Sequence, residues 1–152
     1  SERTAVDEQI KSAILQGARL EIGGRIPEDR LRGYYYEPTV LTNLQEDMQV
    51  MCEETFGPVA PIFRFQSEAE VIAMANDTEF GLAAYLFTSN AARQWRVPEA
   101  LEYGMVGVNT GLISNEVGPF GGIKQSGLGR EGSRYGIEEY LELKYLCIDI
   151  AE

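Results

Sequence analysis

The sequence predicts an α/β domain built on parallel strands. Three observations predict it. Apolar, β-prone segments at residues 59–65, 83–87 and 105–109 alternate with two segments that carry helix-start signals. Strand, helix, strand, helix, strand with short connections is the pattern of parallel crossover units. The 152 residues suffice for one domain with a buried core, and no internal repeat interrupts them.

The elements follow in order. Val6, Ile10, Ala13 and Ile14 recur at helical spacing and Gly17 follows them, so a first helix is expected there. Leu20 and Ile22 alternate with polar residues in a short strand that stops at Gly23-Gly24. Residues 25–33 read as a charged surface loop. Tyr34-Tyr35-Tyr36 and Thr39-Val40-Leu41 read as one strand interrupted by Pro38, which predicts an edge position or a bulge. After the strand at 59–65, Ser67 and Glu70 form a capping box that opens a helix to Ala75. The strand at 83–87 leads to Asn90, the cap of a helix through Leu101. Pro98 lies inside it, so a kink or a split is expected. The strand at 105–109 precedes a glycine-rich loop from Thr110 to Gly129. A helix at 134–142 and a last strand at 144–150 complete the expectation.

Composition excludes several functions. With 24 acidic and 13 basic side chains the net charge is −11, and both halves of the chain share the excess. Nucleic acid and anionic membrane are therefore not expected as partners, because phosphate binding needs clustered Lys and Arg. The absence of His rules out a Ser-His-Asp or Cys-His apparatus and any His-based zinc site within the chain, and no metal is expected. The two cysteines, Cys52 and Cys147, are too isolated for a disulfide framework, which points to a reducing, cytoplasmic setting. The longest uncharged runs, residues 80–92 and 103–115, are shorter than the roughly 20 residues a spanning helix needs.

Four motifs invite chemistry. Gly127-x-Gly129-x-x-Gly132 has the letters of a dinucleotide fingerprint, but the residues before it are loop-like and too few follow for a βαβ unit. A tight turn is the better reading. Asn76-Asp77-Thr78 has the form of a glycosylation sequon and reads better as a helix end and turn. Cys52 stands beside Glu53 and Glu54, whose charge disfavours a thiolate, so an ordinary, partly buried thiol is expected there, as for Cys147 within its apolar strand. Glu53-Glu54-Thr55-Phe56-Gly57-Pro58 places a carboxylate and an aromatic ring in a turn-rich segment. A carboxylate there can hold the diol of a ribose, and the ring offers a flat apolar surface. Solvated acids with a core phenylalanine are the competing reading.

These stretches carry a resemblance. Glu53-Glu54-Thr55-Phe56-Gly57-Pro58-Val59, Asn76-Asp77-Thr78-Glu79-Phe80-Gly81-Leu82, Gly107-Val108-Asn109 and Pro119-Phe120-Gly121-Gly122-Ile123-Lys124-Gln125-Ser126-Gly127 resemble, in order and spacing, the C-terminal landmarks of the aldehyde dehydrogenase superfamily. Residues 111–116 and 140–145 most resemble its succinate-semialdehyde branch. The resemblance implies part of a three-layer α/β catalytic domain over residues 1–142 and an oligomerisation strand over 143–152. It implies NAD or NADP as cofactor and oxidation of succinate semialdehyde to succinate through a cysteine thiohemiacetal and thioester.

Site roles follow from the resemblance position by position. Glu54 matches the glutamate that holds the nicotinamide ribose, and Phe56 the aromatic beside the nicotinamide. Asn109, Ser114 and Phe120 fall on segments that line the aldehyde pocket, with Ser114 matching a serine that holds the substrate's distal carboxylate. Glu131 matches an acid discussed as a proton relay, with a structural cap as its alternative. The nucleophilic cysteine, the general base and the adenosine site of the family lie N-terminal to everything in this chain. The chain alone is therefore expected to be inactive, and homo-oligomeric within a complete enzyme. Two alternatives remain. One is a non-catalytic short chain that associates with full-length subunits. The other is a dehydrogenase for another semialdehyde, such as glutarate semialdehyde.

Overall fold

The computed structural model describes residues 1–30 and 32–150. The chain forms two compact units, Ser1–Phe65 and Gln66–Glu152.

The first unit contains helix α1 (Glu2–Leu15), strands β1 (Arg19–Ile22) and β2 (Thr39–Thr42), the short helix α2 (Gln49–Cys52) and strand β3 (Val59–Pro61). α1 forms where the apolar period predicts it. Val6, Ile10 and Ala13 lie on one face and are buried. Its end is closed by Gly17, at φ 104°, and by the Ala18 amide donating to the Ala13 carbonyl at 2.9 Å. The three strands are ordered β1-β2-β3, with β1 antiparallel and β3 parallel to β2. Leu41 on β2 and Ile10 on α1 are fully buried, and Val6, Ala13, Ala18, Met48 and Val50 join them in one core.

Three expectations are corrected here. β2 begins after Pro38 and is the central strand rather than an edge, while the bulge lies in β1 between Leu20 and Ile22. Pro38 precedes the ladder and so withholds no donor from it. Tyr34–Tyr36 form no strand, because side chains hold that segment instead. The Tyr36 hydroxyl donates to Asp7 Oδ1 at 3.0 Å, and Arg3 Nη1 donates to the Gly33 carbonyl at 2.7 Å. Burial and the neighbouring Asp7 both push the Tyr36 hydroxyl pKa upward. The third correction concerns β3, which ladders onto β2 within this unit instead of opening a continuous parallel series with residues 83–87. It also stops at Pro61 rather than at residue 65. Within the loop read at 25–33, position 31 lies outside the described residues.

The second unit contains α3 (Glu68–Asn76), β4 (Phe80–Gly81), β5 (Ala83–Leu86), α4 (Ala91–Ala100), β6 (Met105–Val108), β7 (Ile123–Lys124) and one 3-10 turn (Glu138–Tyr140). Both caps form as the sequence predicts. Ser67 accepts from the Glu70 amide while Glu70 reaches back to the Ser67 amide, and Asn90 Oδ1 accepts from the Arg93 amide at 2.9 Å. β5 and β6 pair in parallel with α4 as the crossover, the α/β unit the alternation implies. α4 runs through Pro98 as one helix. The proline sits in the last turn, where its missing N–H removes a single bond.

Two further expectations fail in this unit. Residues 134–142 form turns and one 3-10 turn, not a helix. Gly132 and Gly136 both lie at its start. A Cβ at Gly136 would stand 2.7 Å from the Gly132 carbonyl oxygen, so these two turns stack too closely for ordinary helical residues. Residues 144–150 form no strand and are exposed. A strand needs a ladder partner, and none of the described residues supplies one there. Residues 151 and 152, the end of the expected oligomerisation strand, lie outside the described residues.

Hydrogen bonds and one ion cluster hold α3 and α4 together. Glu68 accepts from Arg96 Nε at 2.6 Å and from Arg93 Nε at 2.8 Å, and the two guanidinium groups, Arg96 first, hold its carboxyl pKa at about 2. At the other end, Asn76 donates to the Ala100 carbonyl and accepts from the Glu102 amide. The Tyr103 hydroxyl donates to the Ala75 carbonyl at 2.6 Å. Among the described residues, no helix is long and apolar enough to cross a membrane.

Candidate functional site

The first unit carries residues 53–58 between α2 and β3. Both ends are tied to regular structure. The Glu53 amide donates to the Gln49 carbonyl at 2.9 Å, and the Pro58 carbonyl accepts from the Thr39 amide at 2.8 Å. Glu53 is extended at φ −112°, ψ 146°, and the Gly57 amide then donates to the Thr55 carbonyl at 2.9 Å in a tight turn around Phe56. Thr55 turns inward and its hydroxyl donates to Gln9 Oε1 at 2.9 Å. Glu54 and Phe56, on either side, face solvent.

The two acids are not equivalent. Glu53 Oε2 accepts from Gln49 Nε2 at 2.9 Å. Among the described residues, no hydrogen bond or ion pair engages the Glu54 carboxylate. Phe56 is 70% exposed, so it is no core residue. It borders a cleft of about 540 Å³ whose other aromatic walls are Tyr34 and Tyr36. Glu54 does not line that cleft but lies two positions from Phe56 in the same exposed segment, and a free carboxylate and an open aromatic face on one segment suit a sugar diol joined to a flat heteroaromatic ring. Cys52 donates to the Glu46 carbonyl at 3.3 Å and is exposed, as is Cys147, so neither is the partly buried thiol expected.

The second unit carries the other candidates. Asn109 follows β6 at φ 56°. Its Oδ1 accepts from the Thr88 amide at 2.8 Å and its Nδ2 donates to the Thr88 carbonyl at 2.9 Å, so both ends of the amide are engaged by one backbone residue. Asn109 thus ties the end of β6 to the segment that follows β5. Ser114 is exposed in that loop, next to Asn115, whose Oδ1 accepts from the Val117 and Gly118 amides. Phe120 and Glu131 are brought together, their backbones exchanging hydrogen bonds of 2.9 and 2.6 Å. Both line a cavity of about 740 Å³, and Phe120 also borders a cleft of about 410 Å³ under β6. Ser114 lines neither. Glu54 and Phe56 belong to the first unit and these four residues to the second.

The glycine-rich segment is a packed turn and not a phosphate cradle. Arg130 Nη1 donates to the Gly122 carbonyl at 2.9 Å and to the Gly129 carbonyl at 2.6 Å. Gly127, Gly129 and Gly132 all have positive φ, and no α-helix opens after them among the described residues. Nor do the described residues contain a cluster of His, Cys, Asp or Glu able to hold a metal ion.

Sequence reasoning missed Lys124. At φ 54° its Nζ donates to the Asn76 and Thr78 carbonyls and pairs with Glu102 Oε2 at 2.6 Å. With the Ser126 hydroxyl accepting from the Gly81 amide, it joins two of the motif stretches through the β4–β7 ladder. A lysine inside a glycine-rich run was the available signal.

Comparison with known proteins identifies the family. The family model described as the aldehyde dehydrogenase family matches residues 1–146. The chain is 61% identical over 145 residues to a glutarate-semialdehyde dehydrogenase of Pseudomonas putida, covering 95% of this chain and 29% of that protein. It is 59% identical over 145 residues to succinate-semialdehyde dehydrogenase (NADP+) of Escherichia coli, covering 95% of this chain and 30% of that protein. Among solved structures, an NAD+ complex of an aldehyde dehydrogenase from Bacillus cereus superposes with a TM-score of 0.93 at 37% identity, covering 99% of this chain and 30% of that one. The chain thus spans about 30% of the length of the relatives it matches. The chain belongs to the aldehyde dehydrogenase family.

Proposed function

We propose that this chain supplies the nicotinamide-ribose grip and part of the aldehyde pocket of an NAD(P)-dependent dehydrogenase that oxidises succinate semialdehyde to succinate. The single observation that carries the reading is the free Glu54 carboxylate beside the exposed Phe56 on a segment anchored at both ends. Glu54 accepts hydrogen bonds from the two ribose hydroxyls. Phe56 packs its face near the nicotinamide and keeps water from that side. When bound, the nicotinamide supplies the hydride acceptor for aldehyde oxidation. Asn109 fixes the loop that carries Ser114, whose hydroxyl donates to the distal carboxylate of the substrate. Phe120 forms an apolar wall. Glu131 relays a proton or caps the turn. The nucleophilic thiol is neither Cys52 nor Cys147, so the 152 residues alone are inactive. Within a complete enzyme the chain works in a homo-oligomer in the cytoplasm, with residues 143–152 as the pairing strand.

Glu54→Gln in a complete enzyme tests the grip. Reduced-cofactor affinity and hydride transfer both fall if the reading is right, and unchanged values of both sink it. Production of NAD(P)H from an aldehyde by the purified chain would refute its inactivity.

Glutarate semialdehyde is the second reading, supported by the 61% identity to the Pseudomonas putida enzyme. Ser114→Ala, assayed with both semialdehydes and a neutral aldehyde, separates the carboxylate role from general packing. Equal loss on all three would remove it.

A further inference from the structure

We infer that Gln9 is a positioning residue that sets the direction of Glu54 and Phe56 through its hydrogen bond to Thr55, an inference that rests on the cofactor reading of those two residues. Gln9 lies on the apolar face of α1 with Val6, Ile10 and Ala13 and is 6% exposed. A polar side chain buried among apolar ones is tolerated only when it is hydrogen-bonded. The other buried polar residue among those described, Thr39, serves the turn around it, accepting from the Gly24 amide and donating to the Glu37 carbonyl. The partner of Gln9 is Thr55, 46 positions away in sequence.

The position of that bond gives it its effect. Residues 53 and 58 are tied by their backbones to α2 and β2. Between those ties, among the described residues, the Thr55 hydroxyl makes the one side-chain hydrogen bond from the segment to α1. The backbone also runs close to the helix, since a Cβ at Gly57 would come within 2.7 Å of Val6 Cγ2. With the Thr55 hydroxyl pinned to Gln9, and the Thr55 carbonyl closing a tight turn around Phe56 by accepting from the Gly57 amide at 2.9 Å, Glu54 and Phe56 are left on the exposed side of the segment. A directional bond fixes that rotation, whereas an apolar residue of the same shape would fill the space without fixing it.

The test separates positioning from stability. In a complete enzyme carrying this chain, the dissociation constant of the reduced dinucleotide is read by its fluorescence and the Tm by melting. Thr55→Val and Gln9→Leu each weaken binding about fivefold and lower the Tm, because each leaves one polar partner buried alone. Thr55→Ser keeps the hydroxyl and keeps the affinity. In the double variant Thr55→Val with Gln9→Leu the Tm recovers, since both polar groups are gone, but the affinity stays low. Ile10→Val lowers the Tm without changing the affinity.

Unchanged affinity in the single variants overturns the inference while Glu54→Gln still weakens binding. It is equally overturned if affinity returns with the Tm in the double variant. If Glu54→Gln itself binds normally, the cofactor reading falls and takes this inference with it.

Discussion

The two units solve the same problem by different means. In Ser1–Phe65 the buried residues are mostly apolar and form one cluster between α1 and the sheet. In the second unit the buried positions among the described residues are Gly81, Gly107, Gly122 and Val97. Several of its large apolar side chains, including Phe87, Trp95 and Leu128, are exposed, and others, such as Ile72, Leu86 and Ile123, are only half-buried. Its order comes from close backbone contacts at glycines, caps and charged clips. A core tolerates exchange of one apolar residue for another of similar volume, whereas a backbone packed on glycine has no slack for a side chain.

The comparison breaks most readily at Leu41. Leu41→Ala, at a fully buried site, is expected to cost about 2–5 kcal/mol, read by urea unfolding. Leu128→Ala, at a fully exposed site, should stay within about 0.5 kcal/mol. Equal losses at the two sites would erase the distinction. Next comes Gly104→Ala. A Cβ there would run into the Gly121 carbonyl oxygen, and the expected loss is about 1–3 kcal/mol. Amide exchange rates should rise around β4 and β7 while β2 keeps its protection. Asn90→Ala removes the α4 cap, for about 1 kcal/mol, seen as a lower melting temperature that Asn90→Asp restores.

The smallest effect is electrostatic. The Glu68 carboxyl is held at about 2 against an ordinary value of 4.5. A depressed carboxyl stabilises the fold above its unfolded pKa. That contribution is complete above about pH 4.5 and is lost as pH falls through about 2. The pair is exposed, so the effect is modest. Glu68→Gln should flatten the decline of melting temperature between those two pH values, and an unchanged slope would remove the role.

Sequence legibility followed the range of the interaction. The Ser67 box, the Asn90 cap and the α1 face were readable because each is decided within one or two helical turns. The sheet assignment of residues 59–61 was not, because β2 and a later strand offer the same alternation and only three-dimensional pairing chooses. The absent helix at 134–142 had a local warning in Gly132 and Gly136, outweighed by its polar, helix-prone letters. At the candidate site, the family resemblance pointed to Glu54 and Phe56. The Gln49–Glu53 bond spans one helical turn and is local, whereas the bond from Thr55 to Gln9 spans 46 positions and depends on α1 meeting this loop, which no local pattern encodes.

Asn109 has a wider consequence. Its amide pairs with both backbone groups of Thr88 as a further strand residue would. The sheet therefore ends on a side chain, and nothing in residues 110–118 is needed to finish the β5–β6 ladder. That junction is a firebreak for the exposed part of the loop. Exposed positions such as Ser114 can vary without altering that pairing, whereas Ile113, packed close to Gly107 of β6, ties the loop back to the strand.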